Sequence, residues 1–137
     1  KEGRDKMDFN LSPGLSAELT REVTPEYTAA HLGSGGVEVL ATPMMIALME
    51  GAARNAVQPS LPEGWTTVGT VVNIRHLAPT PVGMTVTARA KLNEVDGRRL
   101  VFAVEVYDEV KKVGEGMHER FIINTERFHS KLEAKEK

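Results

Sequence analysis

The stretch from Ala41 to Val57 constrains the fold of this chain more than any other segment. Its first residues predict the start of a helix, because Thr42 can serve as an N-cap and Pro43 suits the first helical position. Residues 44–49 are apolar on every side of that helix. A helix of this kind is normally surrounded by protein, so we expect the rest of the chain to wrap around it. One carboxylate, that of Glu50, interrupts the apolar segment.

Five further runs predict the β-strands that supply this covering, at about residues 15–23, 66–77, 84–95, 99–109 and 113–124. Apolar and polar residues alternate in these runs, as they do in half-buried strands. Asp96-Gly97 predicts a hairpin turn. The order of elements predicts an α+β fold, in which a curved antiparallel sheet of about five strands wraps a long central helix. Residues 1–8 are expected to fray, and the charged residues 126–137 predict a C-terminal tail helix.

Length and composition limit the possible functions. The 137 residues fit a single domain, residues 1–137, and the net charge of −2 argues against nucleic acid or an anionic membrane as a partner. The chain has no cysteine, which excludes disulfides and thiolate nucleophiles. No apolar run is long enough to span a membrane, and we expect a cytoplasmic protein. No pair of histidines has the spacing of metal ligands, so we predict no metal.

Three residues are candidates for chemistry, and each also has a structural interpretation. His76 ends a predicted strand beside a proline-rich turn, which suits a cleft rim, although an inward histidine is more often merely hydrogen-bonded. Glu50 is either the partner of Arg54 one turn later or a desolvated carboxylate that needs an imidazole. Thr42 is either an N-cap or a group beside free helical N–H groups that can stabilise an oxyanion. Thr42 and Glu50 lie about 12 Å apart along a helix and cannot bond directly, so we expect a group from the sheet between them along one substrate channel.

The strand that ends at His76 carries a further signal. Two-residue periodicity places five of its residues on the face toward the helix: Val68, Thr70, Val72, Ile74 and His76. Gly69 is one residue out of phase, and a glycine in mid-strand marks either a bulge or the close approach of a ligand. In the last predicted strand, His118 and Arg120 share one face.

Four segments in combination resemble one known family: residues 41–50, the turn at 76–83, residues 95–100 and residues 116–120. Together they resemble the fluoroacetyl-CoA thioesterase-like family of hot-dog fold proteins, from about residue 15 to residue 132. The resemblance implies an acyl-CoA thioesterase that is a homodimer with active sites at the subunit interface. Coenzyme A is then part of the substrate, and no separate cofactor is expected.

The resemblance also implies roles for single residues. Thr42, Glu50 and His76 match the catalytic trio, the backbone N–H of Gly69 matches a contact to the thioester, and Arg120 matches a substrate-contacting arginine. The fluoroacetate-specific member has phenylalanines that form a lid before the helix, whereas residues 33–40 contain no aromatic side chain here. Hydrolysis of small acyl-CoA substrates in general is therefore expected rather than fluoroacetyl selectivity.

The expected mechanism uses His76 as general base on Thr42 or on a water. Glu50 then orients His76 or the water, or attacks the thioester itself. The alternative function is a hot-dog protein that binds acyl-CoA without turnover, as a sensor or carrier. A hydratase ranks last, because the sequence offers no aspartate and histidine separated by a short loop.

Overall fold

The computed structural model describes residues 9–136, and the fraying predicted for residues 1–8 lies outside them. The strands are β1 (Ser16–Glu22), β2 (Trp65–His76), β3 (Thr85–Asp96), β4 (Arg99–Tyr107) and β5 (Lys112–Asn124). The helices are α1 (Ala29–Leu32), α2 (Thr42–Val57) and α3 (Thr125–Lys135). Single 3-10 turns lie at Pro25–Tyr27 and Gln58–Ser60.

The five strands form one antiparallel sheet in the order β1-β3-β4-β5-β2, and α2 packs on its concave face, mainly against β1 and β3. The alternation in the sequence sets this arrangement, because one face of β3 and β4 consists of apolar residues that are at most 1% exposed: Val86, Ala88, Ala90, Leu92, Leu100, Phe102, Val104 and Val106. The α+β fold predicted from the sequence is therefore confirmed. Within residues 9–136 no helix is long and apolar enough to cross a membrane. The cytoplasmic location stays a prediction.

The helix α2 begins one residue earlier than its capping signal suggests. Ala41 holds the N-cap position in an extended conformation, and Thr42 is already the first helical residue. The prediction that Thr42 caps the helix is therefore wrong. Inside the first turn, its hydroxyl bonds the imidazole of His76 instead of a helical N–H. Pro43 is the second helical residue and has no N–H. This costs no helical hydrogen bond, because an N–H at that position has no partner within the helix.

One side of α2 remains open in the single chain. Thr42, Pro43 and Ala47 are exposed, and Ile46 and Glu50 are only half-buried. The expectation that residues 44–49 are surrounded by protein is therefore only partly met. Because the curved sheet covers one side of the helix, the side that carries Glu50 keeps access to solvent.

The strand β2 contains a bulge that changes which of its residues face the helix. Gly69 pairs with Arg120 and Val71 pairs with Glu119, so Thr70 is an extra residue without its own partner position. Before the bulge, Thr67 and Gly69 face inward, and after it His76 does. The prediction that Val68 and His76 share the inner face is wrong, because strict alternation does not survive one inserted residue.

Close backbone packing of β2 and β5 requires glycine at position 116. Its φ of +155° is rarely adopted by other residues, and a Cβ there would overlap the carbonyl oxygen of Asn73 and lie 2.6 Å from the Cα of Ile74. Backbone atoms cannot move aside as a flexible side chain can, so any larger residue disrupts the pairing of β2 with β5.

We predict that Gly116→Ala lowers the free energy of unfolding by at least about 3 kcal/mol in urea denaturation. Gly64→Ala is the matched control, since Gly64 also has positive φ but no heavy atom lies within 4 Å of its Cβ position. That control should cost about 1 kcal/mol, from backbone strain alone. Equal losses in the two variants would show that the contact with β2 does not require glycine.

Candidate active site

Thr42 and His76 meet where α2 begins and β2 ends. The Oγ1 atom of Thr42 lies 2.7 Å from Nδ1 of His76, which is hydrogen-bond distance. The other ring nitrogen, Nε2, is buried and has no hydrogen-bond partner within residues 9–136. Burial lowers the pKa of His76 from its ordinary value of 6.5, against a smaller opposing effect of the backbone at Ala78. The imidazole is therefore neutral near pH 7 and able to take a proton.

The Thr42–His76 pair opens into a cavity of about 430 Å³. Apart from the pair itself and Ser34, its lining is aliphatic: Ala29, Val39, Leu40, Leu77, Ala78 and Pro79. The glycine-rich segment before α2 supplies part of this wall and contributes no aromatic ring. A cavity with such a lining suits an uncharged aliphatic group.

Glu50 belongs to a second cavity, of about 520 Å³, which Gly69 and Arg120 also line. A Cβ placed on Gly69 would lie 3.1 Å from Oε2 of Glu50, 3.1 Å from Cε1 of His118 and 3.4 Å from Nη1 of Arg120. Four groups from α2, β2 and β5 thus converge on one point. The bulge interpretation of Gly69 holds, since it borders the register shift in β2, and the close approach of a ligand stays a prediction.

The carboxylate of Glu50 is not held by its neighbours. Within residues 9–136 it makes no hydrogen bond and has no ion pair within 4.0 Å, so its pairing with Arg54 does not form. Arg54 instead lies at the rim of the same cavity. Gln58, one turn after Arg54, bonds the chain at Trp65 and Thr66. Glu50 is therefore free to bind a ligand or a water.

Arg120 is fixed in place although it is only 7% exposed. Its Nε donates to Oγ1 of Thr67 at 2.7 Å and its Nη2 to the carbonyl of Thr67 at 2.9 Å, while Nη1 lies 3.1 Å from Nε2 of His118. Burial lowers the pKa of Arg120 and the charge of Glu50 opposes that effect. A guanidinium stays charged in proteins, so Arg120 presents a fixed positive charge beside Gly69.

One chain thus divides the five predicted site residues between two places. Thr42 and His76 line one cavity, and Glu50, Gly69 and Arg120 line the other. The expected single channel with a sheet residue between Thr42 and Glu50 is not formed by one chain. The sequence does not predict the contact of Thr67 with Arg120, for which a threonine two residues before a mid-strand glycine is only a weak signal. For His118 it predicts only a face shared with Arg120.

Comparison with known proteins identifies the family of this chain. The model of the fluoroacetyl-CoA-specific thioesterase family matches residues 23–126. The fluoroacetyl-CoA thioesterase of Streptantibioticus cattleyicolor is 44% identical over 128 residues, 93% of this chain and 88% of that protein. A solved structure of the fluoroacetyl-CoA thioesterase has a TM-score of 0.85 at 37% identity, covering 92% of this chain and 98% of the other. A Thermus thermophilus thioesterase superfamily member has a TM-score of 0.85 at 32% identity, covering 91% and 93%.

The curled sheet around a central helix, together with these likenesses, defines a thioester hydrolase of the hot-dog fold. Within that class the chain belongs to the fluoroacetyl-CoA-specific thioesterase family, which confirms the resemblance seen in the sequence. The roles of the five site residues and the absence of a metal stay predictions.

We predict that the free energy of unfolding falls as the pH drops below about 6.5. Burial lowers the pKa of both His76 and His118 in the folded chain. As the pH falls, the unfolded chain therefore binds protons at these rings before the folded chain does, and this binding favours the unfolded state. The associated stability is present above the unfolded pKa and is lost as the pH falls from there through the folded pKa. Urea denaturation between about pH 5 and pH 8 measures this slope.

Replacing either His76 or His118 by asparagine should flatten that pH dependence. His129→Asn is the control, since His129 is exposed on α3, and it should leave the slope unchanged. Parallel curves for wild type, His76→Asn and His118→Asn would contradict the assignment of this acid sensitivity to these two rings.

A methyl group at position 69 should remove function while leaving the fold. In Gly69→Ala the new Cβ lies 3.1 Å from the free end of Glu50, which can move away, and 3.1 Å from the edge of the buried His118 ring, which has to give by a few tenths of an ångström. We expect a loss of about 1 kcal/mol in the free energy of unfolding and a drop of at least about tenfold in kcat/KM for thioester cleavage. Asn73→Ala, on the exposed convex face of β2, is the control for both measurements. A Gly69→Ala enzyme of full activity would exclude a close contact of substrate with this point.

Proposed function

We propose that this protein hydrolyses a small acyl-CoA to the free acid and coenzyme A, with His76 as general base and with Thr42 and Glu50 completing the site. The observation that carries the proposal is the 2.7 Å bond between Thr42 and a neutral, half-buried His76 in a chain of this thioesterase family. A hydroxyl bonded to a neutral imidazole is the arrangement that general-base activation of a nucleophile requires.

The direct bond favours Thr42 as the group that loses its proton to His76. The Oγ1 of Thr42 then adds to the thioester carbonyl, and the coenzyme A thiolate leaves with the proton from the imidazolium. A water replaces the thiol, gives its proton to His76 and attacks the acyl group. The carbon–oxygen bond to Thr42 breaks, the acid is released, and the hydroxyl recovers its proton. If Thr42 only orients a water, the same imidazole serves that water in one step.

The second cavity supplies the electrostatic part of this proposal. The backbone N–H of Gly69 and the fixed charge of Arg120 stand where a carbonyl oxygen gains negative charge as it is attacked. Glu50 orients the attacking water, since its carboxylate has no competing partner in the described part of the chain. Groups that are already oriented need not reorganise during the reaction.

We further propose that the protein is a homodimer in which each active site combines both cavities. Thr42 and His76 of one subunit would face Glu50, Gly69 and Arg120 of the other. Two features support this. Each subunit holds the two groups in separate openings, and β2 is an edge strand on which Val71 and Val72 are exposed, as is Leu77 directly after it. Long exposed edge strands are normally paired or protected.

The lining of the first cavity supports an uncharged acyl group as substrate. Aliphatic walls neither bind a second carboxylate nor favour an ammonium group. Residues 33–40 bring no aromatic ring to this wall, so the cavity leaves space for acyl groups longer than fluoroacetyl. Coenzyme A enters only as the leaving group of the substrate.

We predict thiol release from a panel of acetyl-, fluoroacetyl-, butyryl- and hexanoyl-CoA. His76→Ala should lower kcat/KM by on the order of 10²- to 10⁴-fold, the usual contribution of a general base. Thr42→Ser should keep most of the activity and Thr42→Ala should lose it. Equal loss in both Thr42 variants would show that the hydroxyl alone is not the essential group.

His129→Ala is the control for these rates, since that histidine lies outside both cavities. Wild-type and His76→Ala enzymes of equal rate would overturn the assignment of the base. Acyl-CoA binding in calorimetry without release of thiol over hours would instead favour the non-catalytic binding protein.

Mixing two inactive variants tests the shared site. After unfolding and refolding together, His76→Ala and Glu50→Gln chains in equal amounts should recover about a quarter of wild-type activity, because half the dimers are mixed and each mixed dimer has one intact site. If each chain carried a whole site, every site in the mixture would keep one lesion and no activity would return. A single species at monomer mass would also contradict the proposal.

A further inference from the structure

His118 lies beside two of the residues that line the second cavity, Gly69 and Arg120, and the proposed function gives it no role. It is on β5, paired with Val72 of β2 on one side and with Phe102 of β4 on the other, and it is 1% exposed. The ring of Phe102 lies 6.3 Å away, centroid to centroid, and closes off the far side. An imidazole in such a place is constrained on every side and cannot reorient freely.

The hydrogen bonds of His118 define its protonation state. Nδ1 lies 2.8 Å from the carbonyl oxygen of Val71, which can only accept, so Nδ1 carries a hydrogen. Nε2 lies 3.1 Å from Nη1 of Arg120, which can only donate, so Nε2 must accept. Both bonds are satisfied only by the neutral ring with its hydrogen on Nδ1. Burial, followed by the charge of Arg120, lowers the pKa of His118 and so favours this form, against Val71, Glu50 and Glu119.

This ring completes the support of Arg120. Thr67 holds Nε and Nη2 of the guanidinium, and His118 holds Nη1, the nitrogen that lies nearest to Gly69. Without an acceptor at His118, that nitrogen would keep a buried hydrogen unpaired or turn to another acceptor. Glu50 is the charged group nearest to it across Gly69. If the guanidinium turned toward Glu50, the carboxylate would no longer be free.

The same ring also supports the bulge of β2. The carbonyl that accepts from Nδ1 belongs to Val71, the residue directly after the extra Thr70. One imidazole therefore connects the backbone next to Gly69 with the guanidinium opposite it.

We propose that His118 is a positioning residue for thioester hydrolysis, which holds the Nη1 of Arg120 toward Gly69 by accepting its hydrogen bond while it fixes the β2 bulge. The inference rests on the proposed function of Arg120 and Gly69 in the same site. His118 itself touches no substrate, and it acts only through these two groups.

Three substitutions separate the two hydrogen bonds. In His118→Gln the side-chain amide reaches the position of Nε2 and can accept from Arg120, whereas in His118→Asn it reaches only the position of Nδ1 and can bond Val71. His118→Phe keeps the ring and loses both bonds. We expect His118→Gln to stay within about threefold of wild type in kcat/KM, and His118→Asn and His118→Phe to lose on the order of ten- to a hundredfold.

A double-mutant cycle with Arg120→Gln decides whether His118 acts through Arg120. The loss in His118→Asn should fall on the same parameter, kcat or KM, as the loss in Arg120→Gln, and the double variant should be no slower than Arg120→Gln alone. Independent, multiplying losses, or a His118→Gln enzyme as slow as His118→Asn, would overturn the proposal. A wild-type enzyme without thioesterase activity would overturn the proposed function itself, and this inference with it.

Nitrogen-15 NMR of the imidazole gives a readout that needs no turnover. The two-bond proton–nitrogen spectrum of wild type at about pH 8 should show His118 with hydrogen on Nδ1 only, and Arg120→Gln should shift the Nε2 resonance. A protonated ring, or hydrogen on Nε2 alone, would contradict the acceptor role of His118.

Discussion

The close approach of α2 to the sheet sets every other distance in this protein. Small residues on both sides allow it, including Ala52 and Ala53 on the helix and Ala88 and Ala90 on β3, all fully buried. A side chain on Gly114 of β5 would lie 2.5 Å from the sulfur of Met45, which shows how little space remains. Because the interior is packed this closely, the helix cannot slide or tilt without overlapping the sheet. The positions of Thr42 and Glu50 are therefore fixed by packing before any hydrogen bond forms.

The large elements could be predicted because they follow from local periodicity. The apolar run of α2 and the alternation in β3 and β4 each require one face to be buried, and the curved sheet around a helix follows from that requirement. The combination of motifs also identified the family. The side of α2 that faces away from the sheet could not be predicted, because apolar patterning shows that a residue avoids water and not which part of the chain covers it.

The sequence predicts which residues form the site, but it does not predict which partners they contact. Capping chemistry assigned Thr42 to the helix N–H groups, but the hydroxyl has a stronger partner in the imidazole of His76, which no local pattern reveals. Similarly, the spacing of Glu50 and Arg54 favours an ion pair, but exposed pairs of this kind are worth only a few tenths of a kcal/mol. The carboxylate of Glu50 interacts instead with the positive charge of the buried Arg120. Partners from distant strands decide both outcomes.

The extra residue at Thr70 has a consequence for how this strand can vary. Gly69 and His76 are an odd number of positions apart, so in an unbroken strand they would project from opposite faces. The insertion shifts the phase once, between them, and lets both halves of β2 face α2. Loss of one residue would remove the bulge and leave the two an even number of positions apart in a regular strand, so both would still face the interior. A further insertion would instead turn either the glycine or the histidine out of the interior, so related chains should tolerate loss of the bulge more readily than the gain of another residue in this segment.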